Sequence, residues 1–68
     1  MEIFAEKLKE LRIKNNLTTY QLAKEINVSP TAITRWEKNQ REPAITNLYN
    51  LSKFFHVSSD YLLGLTEE

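Results

Sequence analysis

The sequence predicts an all-α fold of five short helices around one small core, and three observations predict it. Apolar residues recur three and four apart along the chain, and no stretch shows the alternation of a half-buried strand. An apolar residue followed by Ser or Thr, the signature of a stapled and capped helix start, occurs at Leu17-Thr18, Val28-Ser29 and Val57-Ser58. Residues that tolerate left-handed backbone, Asn27 and Gly64, stand where helices should stop.

The first helix runs from about Ile3 to Asn15, with Phe4, Leu8 and Leu11 as its buried stripe and alternating Glu and Lys as its solvated face. Leu17-Thr18 ahead of Gln21 and Leu22 forms a capping box, so a second helix starts there, buries Leu22, Ala23 and Ile26, and stops at Asn27. Val28, Ser29 and Pro30 then supply a staple residue, an N-cap and a proline at the first helical position, with Ile33 closing the staple. On this third helix Ile33 and Trp36 point inward, which leaves Pro30, Thr31, Thr34 and Arg35 outside. A fourth helix spans Ile45 to Phe55 with Ile45, Leu48, Leu51 and Phe55 inward. Ala44 caps it poorly, and Thr46 is the rival cap. The fifth, Ser59 to Leu63, repeats the earlier device, because Val57, Ser58 and Leu62 mirror Val28, Ser29 and Ile33.

Sixty-eight residues allow one domain, 1–68, with a small core that pairing between chains would help to stabilise. No cysteine is present, which excludes a disulfide framework or thiolate metal site and fits a cytoplasmic setting. No apolar run reaches the length of a signal or membrane segment. Nine basic and nine acidic residues give zero net charge, which by itself argues against a polyanionic partner. The distribution argues otherwise. Glu2, Glu6 and Glu10 line one side of the first helix and Asp60, Glu67 and Glu68 lie at the far end, while Arg35, Lys38 and Arg41 gather at and after the third helix.

Residues 17–37, LTTYQLAKEINVSPTAITRWE, have the form of a helix-turn-helix, whose second helix lies in the major groove of double-stranded DNA. Extended through KNQREP and LYNLSKFFHVSSDYLLG, the chain resembles the phage-repressor and Cro-like (XRE-type) helix-turn-helix family. Leu22-Ala23, Val28-Ser29, Ile33, Trp36-Glu37 and Pro43 fall in that family's register. The resemblance implies a lambda-repressor-like DNA-binding domain with no cofactor and no metal. It also implies a partly buried ion pair between Arg12 and Glu37, at the end of the reading helix. Asn16, Asn27, Asn39 and His56 stand where relatives commonly have glycine, so each is expected at positive φ, and the sole histidine is a helix terminator rather than a ligand or base.

Thr31, Thr34 and Arg35 are the base-reading candidates, with Pro30 in reach of a thymine methyl or sugar; the arginine fork matches the two acceptors on the major-groove edge of guanine. Phosphate contacts fall to Thr19, Lys38, Asn39 and Arg41. Many relatives carry a glutamine where Thr19 stands, and Thr19 is shorter. Tyr20 either supplies a hydroxyl nearby or covers the core. One helix reads about half a turn of duplex, so a homodimer on an inverted repeat is expected. The resemblance puts the dimer contact around the last helices, with Tyr61, Leu65, Val57 and Phe54 as candidates that could equally be core.

The chain reads either as a complete minimal regulator or as the head of a longer repressor. Repression, by competing with RNA polymerase or contacting it, is the sign the family implies. An enzyme is disfavoured by the single histidine, the lack of cysteine and the lack of a glycine-rich phosphate loop. The alternative of another class is a protein-binding module of antitoxin or antirepressor type, which large apolar residues on the outer face of Pro30 to Arg35 would favour. That face is small, polar and arginine-bearing.

Overall fold

Five helices follow one another, α1 (Glu2–Lys14), α2 (Thr19–Ile26), α3 (Pro30–Glu37), α4 (Ile45–Phe55) and α5 (Ser59–Leu62). The structure, a computed structural model, describes residues 1–67. The starts use the expected chemistry. Thr18 Oγ1 accepts from the Gln21 amide at 3.0 Å while Gln21 Oε1 accepts from the Thr18 amide at 2.9 Å, closing the capping box. Ser29 Oγ accepts from the Ala32 amide at 3.1 Å and Ser58 Oγ from the Tyr61 amide at 3.0 Å. Ala44 heads α4 without a side-chain cap, and Thr46 lies inside the helix rather than capping it.

All four non-glycine candidates for left-handed backbone adopt it: Asn16, Asn27, Asn39 and His56 have φ between 57° and 60°, and Gly64 has φ 76°. Each is followed by an amide that donates five residues back, as in a Schellman closure: Leu17 to Arg12, Val28 to Ala23, Gln40 to Arg35, Val57 to Ser52 and Leu65 to Asp60. Three corners share one recipe. In Asn16-Leu17-Thr18, Asn27-Val28-Ser29 and His56-Val57-Ser58, the first residue turns the backbone, the second closes the old helix and packs on the core, and the third caps the new one.

Each helix contributes one side chain that is wholly removed from solvent: Leu8, Leu22, Ile33, Leu51 and Leu62. Phe4, Ala5, Leu11, Ala23, Ile26 and Trp36 complete the buried core. α3 packs against α2 and α1, and α5 packs against α1 and α4, so the reading helix rests on two others. No helix among the described residues is long and apolar enough to cross a membrane.

Three expectations are corrected. Ile45 is 83% exposed, not inward. It is the first residue of α4, its side chain tilts toward the helix N-terminus, and it therefore overshoots the stripe through which α4 meets α2 and α5. Tyr20 does not cover the core; it is 72% exposed. Both ends of α1 lie one residue earlier than predicted and α5 is one residue shorter; the two C-terminal ends fall short because both helices close into Schellman turns.

Candidate nucleic-acid interface

Ser29, Pro30 and the buried pair Ile33 and Trp36 fix both the start and the roll of α3. With that roll, Thr31 and Arg35, four residues apart and hence neighbours on one face, are exposed, and Pro30 and Thr34 are half-buried beside them. The Thr34 hydroxyl donates to the Pro30 carbonyl at 3.2 Å, which leaves its oxygen able to accept. The four base-reading candidates therefore share one surface.

The Arg12–Glu37 pair is present as the resemblance implied. Arg12 Nε donates to Glu37 Oε2 at 2.6 Å and Nη2 to Oε1 at 3.0 Å, in the parallel fork geometry that lysine cannot reproduce. Nη1 donates to the Leu17 carbonyl at 2.8 Å. One guanidinium thus ties α1, the corner before α2 and the end of α3 together. The side chains are 15% and 7% exposed, so the pair is shielded from salt. Its hydrogen bonds to Glu37 raise the Arg12 pKa above the ordinary value, outweighing the opposing effect of burial, and the Glu37 charge adds to the rise.

Lys38 and Arg41 are exposed beyond the end of α3, and Thr19 is half-buried at the start of α2. Asn39 is not a bare phosphate donor. Its Oδ1 accepts from the N-terminal ammonium of Met1 at 2.8 Å, and the same ammonium donates to Glu42 Oε2 at 2.8 Å. Holding Oδ1 in this way leaves the Asn39 amide group, the donor end, to face an anion. The ammonium's hydrogen bond, and then its charge, hold the Glu42 carboxyl below the usual range. This clamp has no signature in the sequence, because its members lie 38 and 41 residues apart.

The consequence is electrostatic. Glu37 and Glu42, the carboxylates nearest the end of α3, each carry a cation partner, whereas Arg35, Lys38 and Arg41 form no ion pair among the described residues. A chain of zero net charge thereby presents a basic edge at its reading helix.

The dimer candidates divide. Phe54, Val57 and Tyr61 are half-buried and pack on the core; the rings of Phe54 and Phe55 meet edge to face at 5.0 Å, and Lys7 Nζ lies 4.7 Å from the Tyr61 ring centre. Leu65 alone of the four is open, at 73%.

A helix-turn-helix family model matches residues 8–62. The chain belongs to the helix-turn-helix family. Within this family it resembles the HTH-type transcriptional activator BcrR of Enterococcus faecalis, at 48% identity over 61 residues covering 90% of the chain and 30% of that protein. It also resembles Repressor protein C2 of Salmonella phage P22, at 37% identity over 62 residues covering 91% of the chain and 29% of that protein. The chain thus spans less than a third of either relative's length. The crystal structure of the P22 c2 repressor in complex with a synthetic operator superposes with TM-score 0.85 at 35% identity, covering 91% of this chain and 94% of that one. The phage-repressor variant of the helix-turn-helix fold is therefore shared over 91% of the chain.

Proposed function

We propose that the chain is one sequence-specific, double-stranded DNA-binding domain of a cytoplasmic transcriptional regulator. Two copies occupy inverted half-sites of an operator, with α3 of each in the major groove. The observation that carries this reading is the polar face of Thr31, Thr34 and Arg35 on a helix braced by the Arg12–Glu37 fork. Arg35 reads a guanine, Thr31 and Thr34 contact neighbouring base edges, and Pro30 meets a thymine methyl or sugar. Thr19, Lys38, Arg41 and the Asn39 amide group hold phosphates, fixing register without carrying sequence information.

Repression by occupying the operator in competition with RNA polymerase is the mode this reading favours, and likeness to the P22 c2 repressor supports it. Leu65, together with Phe54, Val57 and Tyr61, is the surface through which the two copies meet. None of the exposed large apolar side chains lies on α3, which weighs against a protein ligand at that face.

The test is selection from a random duplex pool by the wild type and by Arg35→Ala. The wild type should enrich an inverted repeat with half-site centres about ten base pairs apart. Arg35→Ala should lose about 1–3 kcal/mol of discrimination at one symmetric position. A folded wild type that enriches nothing would refute the reading.

A further inference from the structure

Part of α4 is left uncovered by the fold. Ile45 and Tyr49, one turn apart, are both open to solvent, and from Tyr49 onward the helix walls an open groove of about 360 Å³ whose other wall is the end of α2. Buried Ile26 and half-buried Phe54 are its apolar lining, and the Lys53 ammonium lies 5.3 Å from the centre of the Tyr49 ring. Asn27 and Asn50 bring side-chain amides to the groove, and neither amide has a hydrogen-bond partner among the described residues. Glu25 and Lys53 line it from different helices and form no ion pair. None of the base-reading or phosphate residues belongs to it, and Phe54 alone is shared with the surface through which two copies meet.

We propose that this groove docks an extended segment of a second protein, in which a cationic, an apolar and an anionic side chain stand at alternate residues. The inference goes beyond the DNA-binding reading and does not depend on it. Charge complementarity sets the two ends of the occupant. Glu25 and the carbonyl end of α2 attract a cation, while Lys53 attracts an anion, and the apolar side chain between them packs on Ile26 and Phe54. The amides select the backbone. Each offers donors and an acceptor, which suit the unpaired N–H and C=O groups of an extended chain and have nothing to bond on a helix, whose backbone groups bond one another. Alternate residues of an extended chain point the same way and lie about 7 Å apart, so five residues carry all three side chains. A nucleic acid does not suit the groove, because a carboxylate and the negative end of a helix stand on its α2 side. Docking there leaves the reading face of α3 free for its own ligand.

The probes are the peptides Lys-Gly-Leu-Gly-Glu and Glu-Gly-Leu-Gly-Lys, capped at both ends, with Gln-Gly-Leu-Gly-Gln as their neutral counterpart. Each is titrated into the isotope-labelled chain up to millimolar concentration while backbone amide shifts are followed by NMR. One charged order should bind, with shifts centred on Asn27, Tyr49 and Asn50, and it should bind about fivefold more tightly than the neutral peptide, as two exposed charge pairs allow. Glu25→Lys combined with Lys53→Glu should reverse which order is preferred, a change that a general loss of structure cannot imitate. Both positions are exposed, and thermal melts verify that the double variant folds. Failure of both charged peptides, equal binding of charged and neutral peptides, shifts centred elsewhere, or an unreversed preference in the double variant overturns the proposal. Self-association in sedimentation that Tyr49→Ala abolishes would give the groove to a second copy of the chain and overturn it as well.

Discussion

Replacing Glu37 by alanine removes the acceptor for two of the three hydrogen bonds that Arg12 makes and leaves only the one to the Leu17 carbonyl. The guanidinium cannot respond by losing its proton, so two charged donors are stranded in a site where the Arg12 side chain is 15% exposed. Breaking a buried pair by deleting one partner costs about 3–5 kcal/mol, and partial access of water to Arg12 argues for the low end, about 3 kcal/mol. A chain of this length holds roughly 3–10 kcal/mol in all. The variant should therefore melt about 12–24 °C lower, since each kcal/mol moves a small domain by about 4–8 °C. Thermal unfolding by far-UV circular dichroism measures this, and the near-UV signal of Trp36, one residue from Glu37, follows the end of α3 directly. Arg12→Met combined with Glu37→Met should recover much of the loss, because no charge is then stranded. Raising the salt should leave the gap between wild type and Glu37→Ala nearly unchanged. A melting temperature within about 4 °C of wild type would refute the reasoning.

Other outcomes follow from the same geometry. His56→Gly should stabilise by about 1 kcal/mol, by removing the Cβ penalty of left-handed backbone, and Gly64→Ala should destabilise, because φ there is 76° and the new Cβ would lie 2.6 Å from Ile3 Cγ2; chemical denaturation of each variant decides. Glu42 should titrate below an ordinary glutamate in a carboxyl NMR titration, so its contribution to stability is present above the ordinary glutamate range and is lost as pH falls through its lowered midpoint; acetylating Met1 should return the midpoint to the ordinary range. The salt slope for operator binding should be modest, about −2 to −3 per chain for some three phosphates neutralised. No dependence between low and moderate salt would contradict a basic edge at α3.

The corners were the most legible part of the fold. Thr18, Ser29 and Ser58 announce starts by side-chain chemistry that acts over three residues, and Asn16, Asn27, Asn39 and His56 announce ends by tolerance of a single backbone state; both are local. The reading face followed, since burying Ile33 and Trp36 settles where Thr31 and Arg35 must point. Ile45 was misread because helical period says which face a residue shares but not whether a neighbouring helix extends far enough to cover it. Arg12–Glu37 came from family resemblance alone, because nothing local links residues 25 apart. For the Met1 clamp on Asn39 and Glu42 even that guide was missing.

Zero net charge and a polyanionic partner are reconciled by where the carboxylates lie and what they touch. If Glu37 stood unpaired beside Arg35 and Lys38, it would cancel one of them at distances shorter than the screening length of about 8–10 Å. Instead Arg12 reaches from α1 to take both of its oxygens, so α1 contributes a cation to the inside of the molecule and spares the two on its reading edge. The ammonium of Met1 does the same at Glu42, beside Arg41. The fork that fixes the angle of α3 is thus also what uncovers its charge. Glu37→Gln separates the two roles: it keeps the side-chain shape and one acceptor oxygen, weakens the brace, and leaves the Arg12 charge uncompensated. Operator affinity in that variant should fall less than stability does, and a loss of affinity larger than the loss of stability would assign Glu37 a direct part in seating the DNA.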